Sequence, residues 1–280
     1  MVSSKWYLFK REIIMKKQRV PIRFTGQHFT IDTPLIEDAI YLADIQKEDL
    51  VMDIGAGHGF ISNLLIQHAD NVLSLENDAL LAAELKSRFK FYKTIDIIET
   101  DFRNFIIPQK SFKVVSNIPF SITSYILKSL MFTHCEYFTQ GCLIMQFESA
   151  QKLVRQKFFN PYIVFYHTFY NLEFMYEVSP NSFSPPPKVR SALLKMDKKN
   201  CKSINYEMKD SYLDFLNFML KFPDLPVRTA LKKIFRKQQV REISKLHNVK
   251  LEKPVYEMSA QEFWACFKKM KKIVPSKLHP

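Results

Sequence analysis

Four short stretches carry residue types whose spacing could do chemistry. Asp53-Ile54-Gly55-Ala56-Gly57-His58-Gly59 holds three of only five glycines in 280 residues. Alternating glycines admit positive φ and let a ligand lie against the main chain, and where such a turn opens a helix, N–H groups face outward. The spacing is GxGxG, not the GxGxxG of dinucleotide binders, and the Asp53 carboxylate would repel a pyrophosphate. A zwitterionic cofactor such as S-adenosylmethionine (SAM) suits it better, against the bland reading of a plain tight turn. Glu76, twenty-three residues after Asp53, is placed to accept both hydroxyls of a ribose, and Asp101 to accept from an adenine amino group. Each alone is as readily a helix cap or a solvated acid; three acidic strand ends in step with one glycine turn favour a nucleoside cofactor.

The fourth stretch is Asn117-Ile118-Pro119-Phe120. The exocyclic amine of adenine is a poor nucleophile because its lone pair is delocalised into the ring. Acceptors that hold its hydrogens would favour a tetrahedral, reactive nitrogen. Asn117 offers a side-chain carbonyl, Ile118 a main-chain carbonyl set in direction by the following proline, and Phe120 a ring for stacking. The same four residues would also serve as an ordinary strand-to-loop turn.

The elements that must position these residues are legible in the periodicity. Strand character at 50–54, 71–75, 94–99, 112–116 and 140–147 alternates with helical spacing at 58–69, 77–89, 122–132 and 148–156. Pro34 with Glu37 and Asp38 marks a helix start before them. Residues 171–178 and 189–196 read as two more strands around the proline-rich Ser184-Pro185-Pro186-Pro187. The pattern predicts an α/β fold: a Rossmann-like, doubly wound parallel sheet with an antiparallel edge strand. Beyond 200 strand signals stop, and amphipathic stretches at 206–220, 227–235 and 262–270 predict a small C-terminal helical domain. The expected division is a basic N-terminal segment (1–22), a SAM-binding catalytic domain (23–199) and a helical RNA-binding domain (200–280).

Charge supports that division. Of a net +13, residues 1–23 hold seven basic and one acidic residue, and residues 198–280 nineteen and eight, around a middle with fifteen and nineteen. A near-neutral body between two basic segments suits a polyanion binder with a separate reaction chamber. No apolar run approaches the roughly 18 residues of a membrane span, and the start is too charged for a secretory signal, so a soluble, cytoplasmic protein is expected. Cys135, Cys142, Cys201 and Cys266 form no CxxC pair; neither a metal nor a disulfide is expected.

Taken in order with Gly26-Gln27-His28-Phe29 and Phe183-Ser184-Pro185-Pro186-Pro187-Lys188-Val189, these motifs resemble the rRNA adenine-N6 dimethyltransferases over nearly the whole chain from about Met15. The nearer likeness is to the erythromycin-resistance branch, which methylates one adenosine of 23S rRNA and confers macrolide, lincosamide and streptogramin B resistance. The resemblance implies that this sheet is of the class I SAM-dependent methyltransferase kind, with SAM as cofactor, bound by His28, Thr30, Gly55, Glu76, Asp101 and Asn117. It also implies a target amine held by Asn117, Ile118 and Phe120, with Phe183 as second face of the base clamp. The RNA partner would present an unpaired or flipped adenosine, since the amine is inaccessible in a stacked helix, and the enzyme would act as a monomer. Many relatives carry asparagine where this chain has His28; imidazole can still donate to the cofactor carboxylate, with a dependence on pH. Two alternatives remain: a 16S rRNA dimethylase acting on two adjacent adenosines, and a non-catalytic RNA-binding assembly factor.

Overall fold

The structure is a computed structural model that describes residues 28–199 and 206–280. The basic segment 1–22, Gly26, Gln27 and Cys201 lie outside the described residues. Nine strands are named in chain order: β1 (Phe29–Thr30), β2 (Leu50–Ile54), β3 (Asn71–Glu76), β4 (Ile95–Glu99), β5 (Phe112–Asn117), β6 (Phe138–Gln146), β7 (Tyr170–Val178), β8 (Phe183–Ser184) and β9 (Ser191–Lys198). The helices are α1 (Thr33–Leu42), α2 (Phe60–His68), α3 (Ala79–Arg88), α4 (Thr123–Lys128), α5 (Phe147–Val154), α6 (Pro161–Phe169), α7 (Lys209–Met219), α8 (Val227–Leu231), α9 (Lys237–His247) and α10 (Ala260–Ile273). No helix of the described residues is long and apolar enough to cross a membrane.

Seven strands form one sheet in the order β4-β3-β2-β5-β6-β9-β7, and β1 pairs with β8 in a separate two-stranded ribbon. Strand β2 lies inside the sheet, between β3 and β5, and is buried along its whole length. Its side chains alternate between layers: Leu50, Met52 and Ile54 enter one apolar cluster, Val51 the other. Parallel pairing of β2 with β3 on one side and β5 on the other makes the gap between β2 and β5 the point where strand order reverses, which is where open α/β sheets bind ligands. The glycine turn leaves β2 and Asn117 ends β5, so both arrive at that point.

Strand β9 runs antiparallel to both its neighbours, β6 and β7. The antiparallel pairing expected at the sheet edge is present, with β7 outermost. That edge is blunted by a register shift between Phe174 and Tyr176 and by Glu173 and the exposed Glu177.

Two helices fall where the sequence pattern gave no element. Helix α6 starts at Asn160, whose side chain accepts from the Tyr162 N–H, with Pro161 in the first turn; its almost continuous apolar run has no helical period to read. Helix α9 buries only Val240 and Ile243, too few to mark a stripe. The stretch expected at 227–235 is helical only through Leu231. The helices after residue 206 share the main apolar cluster with the sheet. Tyr212 and Trp264 meet at 4.8 Å between ring centroids, Trp264 meets Phe169 at 5.2 Å, and the Tyr212 hydroxyl lies 2.9 Å from Thr168 Oγ1.

Gly141 shows how tightly β5 and β6 are held. A Cβ there would sit 2.7 Å from the Val114 carbonyl oxygen, a main-chain atom that cannot swing aside. Gly141→Ala is therefore expected to lower unfolding free energy by about 1 to 3 kcal/mol, read as a reduced urea midpoint at unchanged slope.

Candidate active site

A cavity of about 490 Å³ opens at the carboxyl ends of β2, β3 and β5, within the range of small-molecule sites. His28, Thr30, Gly55, Glu76, Asp101, Asn117, Ile118 and Phe120 all line it. Phe183 does not.

The glycine turn is shaped by packing as much as by φ. Gly55, Gly57 and Gly59 have φ of +80°, +56° and +74°, in the region that favours glycine. A Cβ on Gly55 would come within 2.9 Å of Pro119, and one on Gly57 within 2.5 Å of the Phe29 ring. The N–H groups of Gly55 and Ala56 both donate to the Leu75 carbonyl, at 2.8 and 3.0 Å, and that of Gly57 to Glu76 Oε2 at 2.7 Å. The turn thus does not offer these three amides outward, as the sequence suggested; the protein itself satisfies them.

Glu76 is 4% exposed, and its Oε1 accepts from the Asp78 N–H at 2.8 Å. It ties the glycine turn to the start of α3 while facing the cavity. Each carboxylate oxygen keeps a further lone pair for a hydroxyl. Asp53 is not on the cavity wall but behind it, 1% exposed, accepting from Ser62 Oγ at 2.7 Å, with Ser74 Oγ 2.8 Å from the same hydroxyl. Burial, reinforced by the nearby Glu76 charge and opposed by the Ser62 bond, pushes its carboxyl up to about 7. Its place argues against a direct part in repelling a bound anion.

Asn117 is oriented without ambiguity. Its Nδ2 donates to the His28 carbonyl at 2.7 Å, which turns Oδ1 the other way, and Oδ1 is buried with no hydrogen-bond partner among the described residues. Thr30 Oγ1 is likewise buried without one. His28 Nδ1 lies 2.9 Å from the Pro185 carbonyl, so that nitrogen carries the proton. In the neutral ring Nε2 is then an acceptor. Donation from it to a carboxylate requires the imidazolium, a stricter condition than the sequence implied.

Asp101 differs most from expectation among the cavity residues. Both its oxygens are engaged by Arg103, through the main-chain N–H at 2.8 Å and the guanidinium at 2.6 to 3.1 Å, which holds the carboxyl below its usual range. Arg103 itself lines the cavity, as does Phe29, whose ring meets that of His58 at 4.4 Å. Arg103 did not stand out in the sequence, two residues past Asp101, and Phe29 stood out only as the last residue of Gly26-Gln27-His28-Phe29, with no role of its own. Phe183 is 2% exposed within the core; β8 sets it opposite Thr30 of β1. Its ring is not available as one face of a clamp, and the expected role is corrected to holding the strand that carries Thr30.

A family model for ribosomal RNA adenine dimethylases matches residues 21–272. The chain belongs to the ribosomal RNA adenine dimethylase family. It is 48% identical over 266 residues, 95% of its length and all of the relative, to an rRNA adenine N-6-methyltransferase of Bacteroides fragilis. It is 32% identical over 196 residues, 67% of its length and 71% of the relative, to a ribosomal RNA small subunit methyltransferase A of Clostridium botulinum. Its fold is similar to that of the 23S rRNA methyltransferase ErmE, with a TM-score of 0.75 at 20% identity, over 87% of this chain and 99% of that one.

The residues of this dimethylase-family chain fit the methyl donor of the fold, SAM. The unpartnered Thr30 Oγ1 and Asn117 Oδ1 call for polar partners, Glu76 has free acceptor capacity, and the cavity has the volume. Asp101 fits only where its Arg103 bonds are shared or exchanged.

Two outcomes follow for the buried carboxylates. Glu76→Gln puts an amide donor against the N–H of Gly57 or Asp78; we expect a loss of about 1 to 3 kcal/mol in unfolding free energy together with weaker SAM binding by calorimetry. For Asp53, the folded pKa lies above the unfolded value near 3.8, so the folded state binds the extra proton. Its stabilising contribution is full below about pH 4 and lost as pH rises through about 7. Denaturation curves across that window should show wild-type stability declining relative to Asp53→Asn, then running parallel above it.

Proposed function

We propose that this chain transfers a methyl group from SAM to N6 of one unpaired or flipped adenosine in 23S rRNA, and so confers macrolide, lincosamide and streptogramin B resistance. Adenine of ribosomal RNA is the substrate of the family. The observation that carries transfer to an adenine amine is the Asn117 amide, locked by the His28 carbonyl so that its buried Oδ1 has no partner among the described residues, in a residue that lines the cavity with Ile118 and Phe120. Likeness over the full length of the Bacteroides fragilis enzyme, against 71% of the small-subunit enzyme, favours a target outside the small subunit, and ErmE, of similar fold, is a 23S rRNA methyltransferase. Ribosomes as substrate make the cytoplasm its place of work.

In this reading Asn117 Oδ1 and the Ile118 carbonyl accept the two N–H bonds of the target amine. That draws the nitrogen towards a tetrahedral geometry and frees its lone pair. Phe120, half-buried at the cavity wall, stacks on the base. Pro119, packed against Gly55, fixes the direction of this loop relative to the cofactor side. When bound, SAM supplies a methyl group on a sulfonium already activated for transfer, so the residues need only orient the amine and let its proton leave to solvent. Glu76 would hold the ribose, Thr30 and His28 the amino-acid end, Asp101 the adenine amine, and Gly55 would provide clearance. We assign catalysis to residues 23–199 and phosphate contacts to 200–280 and the basic segment 1–22.

Phe120→Tyr keeps the ring and should retain most activity. Phe120→Ala should lose one to two orders of magnitude in rate, in line with roughly 1 to 3 kcal/mol for a stacked base, and Asn117→Ala more. Labelled-methyl incorporation at saturating SAM measures this, and primer extension locates the product. A single modified adenosine in 23S rRNA is the expected result; two adjacent ones in 16S rRNA would overturn the assignment, as would Phe120→Ala working at the wild-type rate.

A further inference from the structure

The helical part of the chain meets the catalytic part along a strip of exposed aromatic rings set among lysines. Phe159 is 59% exposed and stacks on the half-buried ring of Tyr256, at 4.9 Å between centroids and 22° between planes. The two come from different parts of the chain and are fastened by main-chain bonding, the Phe158 N–H donating to the Tyr256 carbonyl at 2.9 Å while Phe158 is buried. Tyr256 in turn donates its N–H to the Pro223 carbonyl at 3.1 Å, which places Phe222, 51% exposed, next along the strip. Cations border two of the three rings: Lys157 lies 5.9 Å from the Tyr256 centroid, and Lys233 and Lys221 lie 4.8 and 5.9 Å from that of Phe222. Asp224 and Glu257, the acids nearest them in sequence, are fewer than these three lysines.

An apolar core does not explain this arrangement, because the outer face of Phe159 has water on it while its inner face is propped by Tyr256. Rings held rigid by a neighbour, with cations alongside, are what single-stranded nucleic acid binds: bases stack on the rings and phosphates meet the cations.

We propose that Phe159, backed by Tyr256 and continued by Phe222, is a stacking platform for unpaired bases of the RNA substrate, separate from the Phe120 site. This rests on the RNA-methylating reading above, and it makes the platform read single-stranded character in the substrate. The helical part therefore contributes base stacking as well as charge.

The test measures binding by the full-length protein of a hairpin RNA with an adenosine-containing loop and of a fully paired duplex of equal length. Phe159→Ala should weaken hairpin binding about 5- to 150-fold and leave duplex binding within twofold, while Phe159→Trp restores it. The dependence of hairpin affinity on salt should keep its slope in Phe159→Ala and become shallower by about one unit or less in Lys157→Gln. Unchanged SAM affinity and denaturation midpoint show that the variant is folded. Wild-type hairpin affinity in Phe159→Ala, an equal loss on duplex, or failure of tryptophan to restore binding would each overturn the platform. Failure of the wild-type enzyme to methylate any rRNA would instead count against the activity, a result independent of the Phe159 comparison.

Discussion

The site depends on the buried carboxylate of Glu76, which accepts main-chain N–H bonds at both oxygens and so holds a turn of three left-handed glycines against the start of α3. A turn with left-handed glycines at every second position cannot keep one shape unaided. Glu76 supplies the constraint from β3, the Leu75 carbonyl adds two bonds, and the Phe29 and Pro119 side chains close in where Cβ atoms would be. The same closeness brings the ends of β2 and β5 together, so the cofactor side and the target side of the cavity form as a unit. Loss of a single main-chain contact there is felt on both sides.

Under the turn lies a small polar layer in an otherwise apolar sheet. Ser62 links Asp53 to Ser74, and Ser116 both donates to the Ile54 carbonyl and accepts from its N–H, stitching β5 to β2. Buried hydroxyls in such a layer are satisfied by one another and fix strand positions more narrowly than apolar packing would. Asp53 is the strained member, buried with one oxygen unpartnered among the described residues, and its high pKa is the chemical consequence of that position.

The helices after residue 206 share the apolar cluster of the catalytic part, with Tyr212 packed on Phe165 and Phe169, Trp264 on Phe169, and Phe267 on Tyr212 and Trp264. A change of secondary-structure type near residue 200 is thus not a break in the core. Shared packing of this kind holds the aromatic strip at the junction in a fixed position relative to the cavity, which a flexible linker would not do.

The sequence by itself determined the alternation of strands and helices, the GxGxG turn, the acidic strand ends and the division of charge, because hydrophobic period, glycine scarcity and composition are local properties. It determined the family for the same reason: motifs in order survive in a linear string. Only the tertiary structure decided which way the Asn117 amide points, that Arg103 engages Asp101, that Asp53 sits behind the turn, and that Phe183 is core. Two of these depend on partners far apart in sequence, 89 residues between His28 and Asn117 and 153 between Thr30 and Phe183. Helix α6 escaped notice because a helix buried on all sides has no polar face to give it a period, and Phe183 was misplaced because an aromatic near a motif looks the same whether its ring faces a cavity or a core.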